Sequence, residues 1–310
     1  MPGFRAAFIT ELTALLTLTL LARPALAQKA PPPPSAAAAA ASKAIIGAEF
    51  GFAADAARRG TRPAFLASMH DSAVYFPHAA PVTARAYWLA QPAPDTLADP
   101  LLLWAPTLAG AGASGELGYT AGPWLQTDVA GKALAAGQFF TIWGRQPDGT
   151  FRWLLDIGTG TGVLPKKKWL RPENANVARG PMGTKPTARD ERPTARTLDD
   201  ELSADMVAQG MIAAYETRLH PQAWLLRDGH PPISTTTAIR QQVSLETPRR
   251  LTFGGGRTAA SGELAYSYGQ YQTETRFPER GAYVHLWLHT TAGWQLLAEV
   301  INPAAPGGAK

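Results

Sequence analysis

The 310-residue chain contains no cysteine. This excludes disulfide bonds, metal sites with thiolate ligands, a cysteine nucleophile and a lipid-modified anchor cysteine. The motifs of other common chemistries are missing as well. The sequence has no G-x-S-x-G nucleophile elbow, no G-x-x-x-x-G-K-[ST] phosphate loop and no H-E-x-x-H zinc motif. We therefore expect neither a cofactor nor a bound metal.

Histidine and clustered charge are also scarce. The chain has six histidines and a formal net charge of +5. His285 and His289 fall in a strand-like segment, where a spacing of four residues separates them by about 13 Å, too far to share one metal. The densest basic run, residues 166–168, lies in a segment rich in Gly and Pro. This favours a solvated linker and no nucleic-acid partner; a surface patch for a polyanion or an anionic lipid head group is the alternative.

No apolar run reaches the ~20 residues that a membrane-spanning helix needs. Near the N-terminus, Arg5 precedes an apolar stretch at residues 12–21, and Ala25 and Ala27 form an A-x-A cleavage site. This order is typical of a secretory signal peptide. We therefore expect a periplasmic or secreted protein without a membrane span. A short N-terminal helix of the fold is the alternative.

The length is sufficient for about two domains. Composition and patterning predict the following boundaries: a signal peptide at 1–27, a Pro/Ala-rich tether at 28–41, an N-terminal domain at 42–159, a basic flexible linker at 160–198, a C-terminal domain at 199–303 and a tail at 304–310.

An aromatic-rich pattern occurs twice in the chain. G-E-L-G-Y-T begins at Gly115 and G-E-L-A-Y-S begins at Gly262. In the strand-like runs that follow, Trp143 and Trp287 occupy equivalent positions of the repeat. Each half reads as helices, a short strand, another helix and then three or four long antiparallel strands. Helical runs followed by strand runs predict an α+β fold, with helices on one face of a strongly curved antiparallel sheet.

The residues G-E-L-G-Y-T-A-G-P-W, followed by G-Q-F-F-T-I-W-G-R-Q-P-D-G-T-F-R-W-L-L-D-I-G, resemble the nuclear transport factor 2-like superfamily, which includes ketosteroid isomerase and the SnoaL-like cyclases. The run A-F-L-A-S-M-H-D-S-A-V-Y-F-P is similar to its exported bacterial branch. The resemblance covers residues 42–159 and, less sharply, 199–303. It implies two tandem cone-shaped domains, each with a conical pocket, whose outer sheet faces pair within the chain as a pseudo-dimer.

Enzymes of that superfamily usually hold a carboxylate inside an apolar cone, sometimes with a His or Tyr, and burial raises the pKa of such a group toward neutrality. The resemblance implies Asp71 and Asp156 as candidate catalytic residues, with structural capping or hydrogen bonding as the alternative. Candidate ligand-binding residues are His70, Tyr75, His78, Tyr119, Trp143, Arg227, His230, Tyr266 and Glu299.

Three functions are compatible with this sequence. The leading hypothesis is an exported, non-catalytic protein that binds a small, partly apolar ligand or serves as an accessory module. The second is a cofactor-independent isomerase, lyase or hydrolase with an acid–base carboxylate in the N-terminal cone. The third is a cell-surface interaction protein. A working pocket is expected in the N-terminal half, because Asp71 has no carboxylate counterpart in the other half.

Overall fold

A computed structural model describes residues 35–94, 99–172, 176–181, 183 and 194–304. The predicted signal peptide, residues 28–34 of the predicted tether and all but the first residue of the tail lie outside these ranges. Within them the chain forms two α+β halves, each built from helices and one sheet.

In the N-terminal half, helices come first and the long strands last, as the sequence predicts. The helices are α1 (Ala36–Arg59), α2 (Thr61–Ser68) and α3 (Ala84–Ala90). The strands are β1 (Met69–His78), β2 (Ala80–Thr83), β3 (Leu101–Trp104), β4 (Leu108–Ala111), β5 (Leu117–Thr127), β6 (Ala133–Arg145) and β7 (Phe151–Gly160).

The C-terminal half repeats this plan. Its helices are α4 (Ala195–Gln209), α5 (Met211–Glu216) and α6 (Thr236–Ser244). Its strands are β9 (Leu219–Arg227), β10 (Arg249–Thr258), β11 (Leu264–Thr273), β12 (Arg280–Thr290) and β13 (Gly293–Pro303). Between the halves, a 3-10 turn covers Lys167–Leu170 and strand β8 covers Ala178–Arg179.

Helix α1 begins inside the stretch that the sequence assigned to the tether. Its N-cap is Ser35, whose hydroxyl accepts a hydrogen bond from the Ala38 amide at 3.1 Å. Alanine has the highest helix propensity, so the alanines after this cap form the first helical turns. Contrary to expectation, α1 is long and apolar enough to qualify as a membrane span. However, its Ile45 and Phe52 are buried in the apolar core of the N-terminal half.

The strands of each half form one sheet. The first sheet has the order β2-β1-β7-β6-β5-β4-β8, with β3 also paired to β5, and the second has the order β10-β11-β12-β13-β9. The α+β fold class predicted for two tandem units is confirmed. The expectation of purely antiparallel sheets is wrong at three pairs, because β1 runs parallel to β7, β9 to β13 and β4 to β8. Long connections separate the strands of each pair, so either direction is accessible.

The segment predicted as a flexible linker contains ordered pieces. Strand β8 extends the first sheet, and the Gly180 amide donates to the Ala109 carbonyl at 2.8 Å. Thr161 forms a bridge with Gly229 of the C-terminal half. Flexibility of the segment stays a prediction, since several of its residues lie outside the described ranges.

The two sheets pack face to face through one apolar cluster, called here the intersheet core. The Phe140 and Trp224 rings lie 5.3 Å apart, and the Phe76 and Tyr268 rings 5.9 Å apart. Further members are Tyr119, Ile142, Leu155, Ile157, Leu226, Tyr266, Val284, Leu286 and Val300. Because successive side chains of a strand point to opposite faces, the other face of each sheet is left to pack against the helices.

The repeated G-E-L motif also joins the halves. The Glu263 carboxylate accepts a hydrogen bond from the Ala113 amide, and Glu116 accepts one from the Ala260 amide at 2.6 Å. Each glutamate therefore binds the turn that precedes the other glutamate. Such reciprocity is what a two-fold relation between equivalent surfaces produces.

The intersheet core predicts that the two halves unfold together. Phe140→Ala is expected to lower the free energy of unfolding by ~3–5 kcal/mol, because the ring is fully buried. Leu134→Ala is the control: this side chain on the same strand is 52% exposed, so its change stays within ~0.5 kcal/mol. Urea unfolding followed by Trp fluorescence and circular dichroism would measure both. Two separate transitions in the wild-type protein would contradict a shared core.

Candidate functional site

The N-terminal half contains a cavity of about 330 Å³, which lies at the lower end of the range for small-molecule sites. Helices α1 and α2 and strands β1, β3, β5, β6 and β7 contribute its lining. Seven aromatic residues line it: Phe52, Phe65, Tyr75, Phe76, Trp104, Trp124 and Phe139. Asp228 and Asn302 of the C-terminal half complete the lining, so both halves build the site.

Asp156 is the buried carboxyl group of this cavity. Strand pairing places it opposite Thr141, whose hydroxyl donates to Asp156 Oδ2 at 2.6 Å. Burial raises the pKa of Asp156 to about 7, although the Thr141 hydrogen bond opposes the rise. Within the described residues, Oδ1 accepts no hydrogen bond from the protein, and the side chain keeps some accessible surface because it lines the cavity. One oxygen is therefore available to a ligand.

Tyr75 is a second polar group at this wall. It is the Cα partner of Asp156 in the parallel pair of β1 and β7. Burial raises the pKa of the Tyr75 hydroxyl above its ordinary value, and the nearby Asp156 and Tyr87 contribute smaller increases. The hydroxyl therefore stays protonated. Its hydroxyl has no hydrogen-bond partner among the described residues. It can therefore donate to a bound molecule.

Two residues of the C-terminal half are fixed at the cavity by backbone contacts. The Asp228 carboxylate accepts from the Gly160 amide at 2.7 Å, and the Asn302 side chain donates to the Gly158 carbonyl at 3.0 Å. These bonds tie the end of β7 to the other half and hold Asp228 near the cavity.

Sequence reasoning missed Glu49, a fully buried carboxyl group on α1. It accepts hydrogen bonds from Trp104 Nε1 at 2.6 Å, the Thr120 hydroxyl at 2.5 Å and Trp143 Nε1 at 3.2 Å. Burial raises its pKa to about 7, while the Thr120 and Trp104 bonds oppose the rise. Because its oxygens are occupied, Glu49 positions the Trp104 ring at the cavity wall. A charged residue on the apolar helical face of Ile45 was the available signal.

The C-terminal half carries the same arrangement around Asp199 of α4. Its carboxyl group accepts from the Ser267 hydroxyl at 2.7 Å, the Tyr283 hydroxyl at 2.7 Å and Trp287 Nε1 at 3.2 Å. Trp143 and Trp287 are each 1% exposed, and each donates its ring N–H to the carboxyl group of the first helix of its half. The prediction that these two residues are equivalent and buried is confirmed.

A buried histidine then connects two carboxyl groups in the C-terminal half. His285 contacts Asp199 through Nδ1 at 2.8 Å and Glu299 through Nε2 at 3.0 Å. Burial lowers the pKa of His285, but the two acidic partners outweigh that effect and raise it to about 9. The imidazolium form therefore dominates at neutral pH.

Glu299 occupies the position of Asp156 on the last strand, but its surroundings differ. It forms an ion pair with Arg227 and accepts from the Tyr215 hydroxyl at 2.5 Å. Burial opposes ionisation, yet Arg227 and His285 lower the pKa of Glu299 well below its usual range. Arg227 also pairs with Glu246 at 2.7 Å. Glu299 is 1% exposed, so its charge is compensated inside the protein.

Of the predicted site residues, Asp156 and Tyr75 line the cavity. Asp71, the other predicted catalytic residue, does not: its side chain is 88% exposed and pairs with Arg85 at 2.5 Å. It lies near the start of β1, where the side chain points to solvent. Asp71 therefore carries a surface ion pair.

The remaining predicted ligand-binding residues also lie away from this cavity. His70 and His78 lie on β1 and His230 on a loop, with His70 bonded to Ser72 at 2.9 Å. Tyr119 and Tyr266 face the intersheet core, since alternation along the strand turns them away from the helices. Trp143 packs against α1 behind the cavity wall. Arg227 and Glu299 belong to the C-terminal ion-pair cluster. In the described part of the chain, no group of three or more His, Cys, Asp or Glu side chains is arranged so that it could hold a metal ion.

The ion-pair cluster predicts a large effect of removing one partner. Arg227→Met leaves Glu299 and Glu246 buried without their main cation, so the free energy of unfolding is expected to fall by ~3–5 kcal/mol. The matched control is Arg250→Met, because Arg250 pairs with Glu274 at the surface and its loss costs at most ~1 kcal/mol. Urea titration of both variants measures the difference. Equal effects would show that Arg227 is not required to compensate Glu299.

No family model matches this chain, and no curated protein matches it. Solved structures do match, over about a third of the chain. A ketosteroid isomerase-like protein from Erwinia carotovora atroseptica aligns at 11% identity and a TM-score of 0.33, over 38% of this chain and 100% of the other. An NTF-2 like protein of unknown function from Shewanella oneidensis MR-1 aligns at 12% identity and a TM-score of 0.29, over 34% and 92%. A cystatin-like fold protein of unknown function from Nostoc punctiforme aligns at 11% identity and a TM-score of 0.32, over 40% and 97%.

Proposed function

We propose that the N-terminal half binds a small, partly apolar ligand in the cavity, with Asp156 as its polar anchor. The observation that carries the proposal is the Asp156 carboxyl group, which has one oxygen uncommitted at an aromatic-lined cavity. A polar group in such surroundings destabilises the fold unless it is satisfied. A bound ligand with a complementary polar atom supplies that partner.

The two halves then have different roles. The C-terminal half compensates its own buried carboxylate through Arg227 and contributes Asp228 to the cavity. It acts as an accessory module that completes the site. The signal peptide predicted at residues 1–27 supports a periplasmic or extracellular location for this binding.

Acid–base catalysis is the second candidate, and one observation favours it. A carboxyl group with a pKa of about 7 is suited to proton transfer near neutral pH, and the Tyr75 hydroxyl on the neighbouring strand is a donor. Asp156 replaces Asp71 as the acid–base residue of this alternative. Turnover of any compound that binds would establish catalysis, whereas binding without turnover supports a non-catalytic binding function.

Blocking the cavity tests the proposal directly. A Cβ atom at Gly158 would meet Trp124 Nε1 at 3.4 Å and the Gln138 carbonyl oxygen at 3.5 Å, both ordinary contact distances. Gly158→Leu is therefore expected to fold and to fill part of the cavity. In a thermal-shift screen of small amphipathic compounds, the hits that stabilise the wild type are expected to lose their effect on this variant.

Two controls accompany this screen. Gly162→Leu adds the same side chain where nothing lies within 4 Å, and Asp71→Asn removes an exposed carboxylate; both should retain the hits. Asp156→Asn should weaken binding about tenfold or more, because a hydrogen bond to a charged group is lost. Hits that stabilise Gly158→Leu as strongly as the wild type would place the binding site elsewhere and contradict the proposal.

A further inference from the structure

We infer that the cavity is selective for a small organic cation, such as an amine or a quaternary ammonium carrying an apolar group. This inference rests on the proposed function and names the chemical class of its ligand. Three independent observations support it: the charges at the cavity, the character of its walls, and the way the C-terminal half treats the same position.

The charge of the lining is negative. Asp156 and Asp228 are its ionisable carboxyl groups, and no Lys, Arg or His occurs among the described residues that line it. Glu49 lies deeper, behind the Trp104 ring, and its charge adds to the same sign when it ionises. A cavity with this lining in a chain of net charge +5 repels anions and attracts cations.

The walls are rich in aromatic rings. The Phe52 and Trp104 rings are 4.8 Å apart, and the Phe65 ring lies 4.7 Å from Phe52 and 6.2 Å from Trp104. These three side chains form a contiguous wall of the cavity. Ring faces attract organic cations electrostatically, and the attraction increases when water is excluded.

In the C-terminal half, the carboxylate at the position equivalent to Asp156 is Glu299, and its partner is a cation of the chain itself. Asp156 pairs with Tyr75 in the first sheet, and Glu299 pairs with Leu225 in the second. Two residues further along the partner strand stand Pro77 and Arg227, respectively. The Arg227 guanidinium forms an ion pair with Glu299, whereas Pro77 is uncharged and lines the cavity.

A second difference between equivalent positions of the two halves agrees with the first. Tyr215 of α5 donates its hydroxyl to Glu299 at 2.5 Å, while Phe65, at the corresponding position of α2, has no polar atom to offer. The C-terminal half therefore compensates its carboxylate with a guanidinium and a hydroxyl of its own. The N-terminal half has neither group at these positions and has a cavity instead. A ligand cation would take the place of the Arg227 guanidinium.

Neutral ligands and cationic ligands require different protonation states of Asp156. A neutral acceptor, such as a ketone or amide, needs the protonated carboxyl group, whereas a cation needs the ionised one. Since the pKa of Asp156 is about 7, affinity for a cation rises between pH 6 and pH 8, and affinity for a neutral acceptor falls. The sign of this pH dependence separates the two classes.

Calorimetric titration with four probes of similar shape tests the inference. The probes are benzyltrimethylammonium, benzylamine, benzyl alcohol and benzoate. The two cations are expected to bind about tenfold tighter than benzyl alcohol, and benzoate is expected not to bind. Benzyltrimethylammonium carries a fixed charge, so its affinity is expected to increase up to about tenfold from pH 6 to pH 8.

Variants assign this behaviour to Asp156. Asp156→Asn keeps an oxygen for the Thr141 hydroxyl and is expected to remove most of the cation preference and most of the rise with pH, while benzyl alcohol still binds. The remaining rise comes from Glu49, whose pKa is also about 7. Asp71→Asn, a surface carboxylate on β1, should leave both unchanged. At pH 7, binding of benzyltrimethylammonium should release about half a proton, measured in buffers of different ionisation enthalpy, because Asp156 is half protonated there.

Two kinds of result would overturn the inference. Equal or tighter binding of benzyl alcohol or benzoate at the cavity, or a cation preference and pH rise that are undiminished in Asp156→Asn, would contradict cation selectivity through Asp156 while leaving the proposed binding function intact. If none of the probes binds and the hits of the thermal-shift screen also stabilise Gly158→Leu, both the inference and the proposed function fail.

Discussion

A carboxyl group buried on the last strand of each half is the constraint on which this structure depends. Burial of a charge in an apolar interior is costly unless a partner compensates it. Glu299 is compensated within the chain by Arg227 and His285. Asp156 has a single hydroxyl partner, Thr141, and keeps a pKa of about 7 at an aromatic cavity. One repeated scaffold therefore gives a closed ionic interior in one half and an open site in the other.

The packing of the two sheets brings residues of the C-terminal half to the cavity of the N-terminal half. The glutamates of the repeated motif, Glu116 and Glu263, each bind the other half, and the intersheet core excludes water between them. This arrangement holds the C-terminal half against the end of β7, where Asp228 and Asn302 reach the cavity. The C-terminal half thus completes the lining of the N-terminal cavity.

Much of the fold follows from the sequence, because periodicity and turn residues are local signals. The repeat around Trp143 and Trp287 correctly predicted that these two residues are equivalent and buried. The site was harder to predict from the sequence, because its polarity depends on contacts between elements that are distant along the chain. Asp71 and Asp156 were both candidates, and only the strand register shows that one faces solvent and the other a cavity. The pairing of Arg227 with Glu299 likewise requires the parallel register of β9 and β13.

The most direct test of this account is the ionisation of Asp156 itself. Carbon-13 NMR of protein labelled at the aspartate carboxyl groups would follow each signal with pH, and Asp156→Asn would assign the one of interest. We expect an aspartate signal that titrates near pH 7 and is missing from the variant. If every aspartate titrated in the ordinary range around pH 4 instead, Asp156 would be fully solvated or already compensated, and the cavity would lack the group on which its function depends.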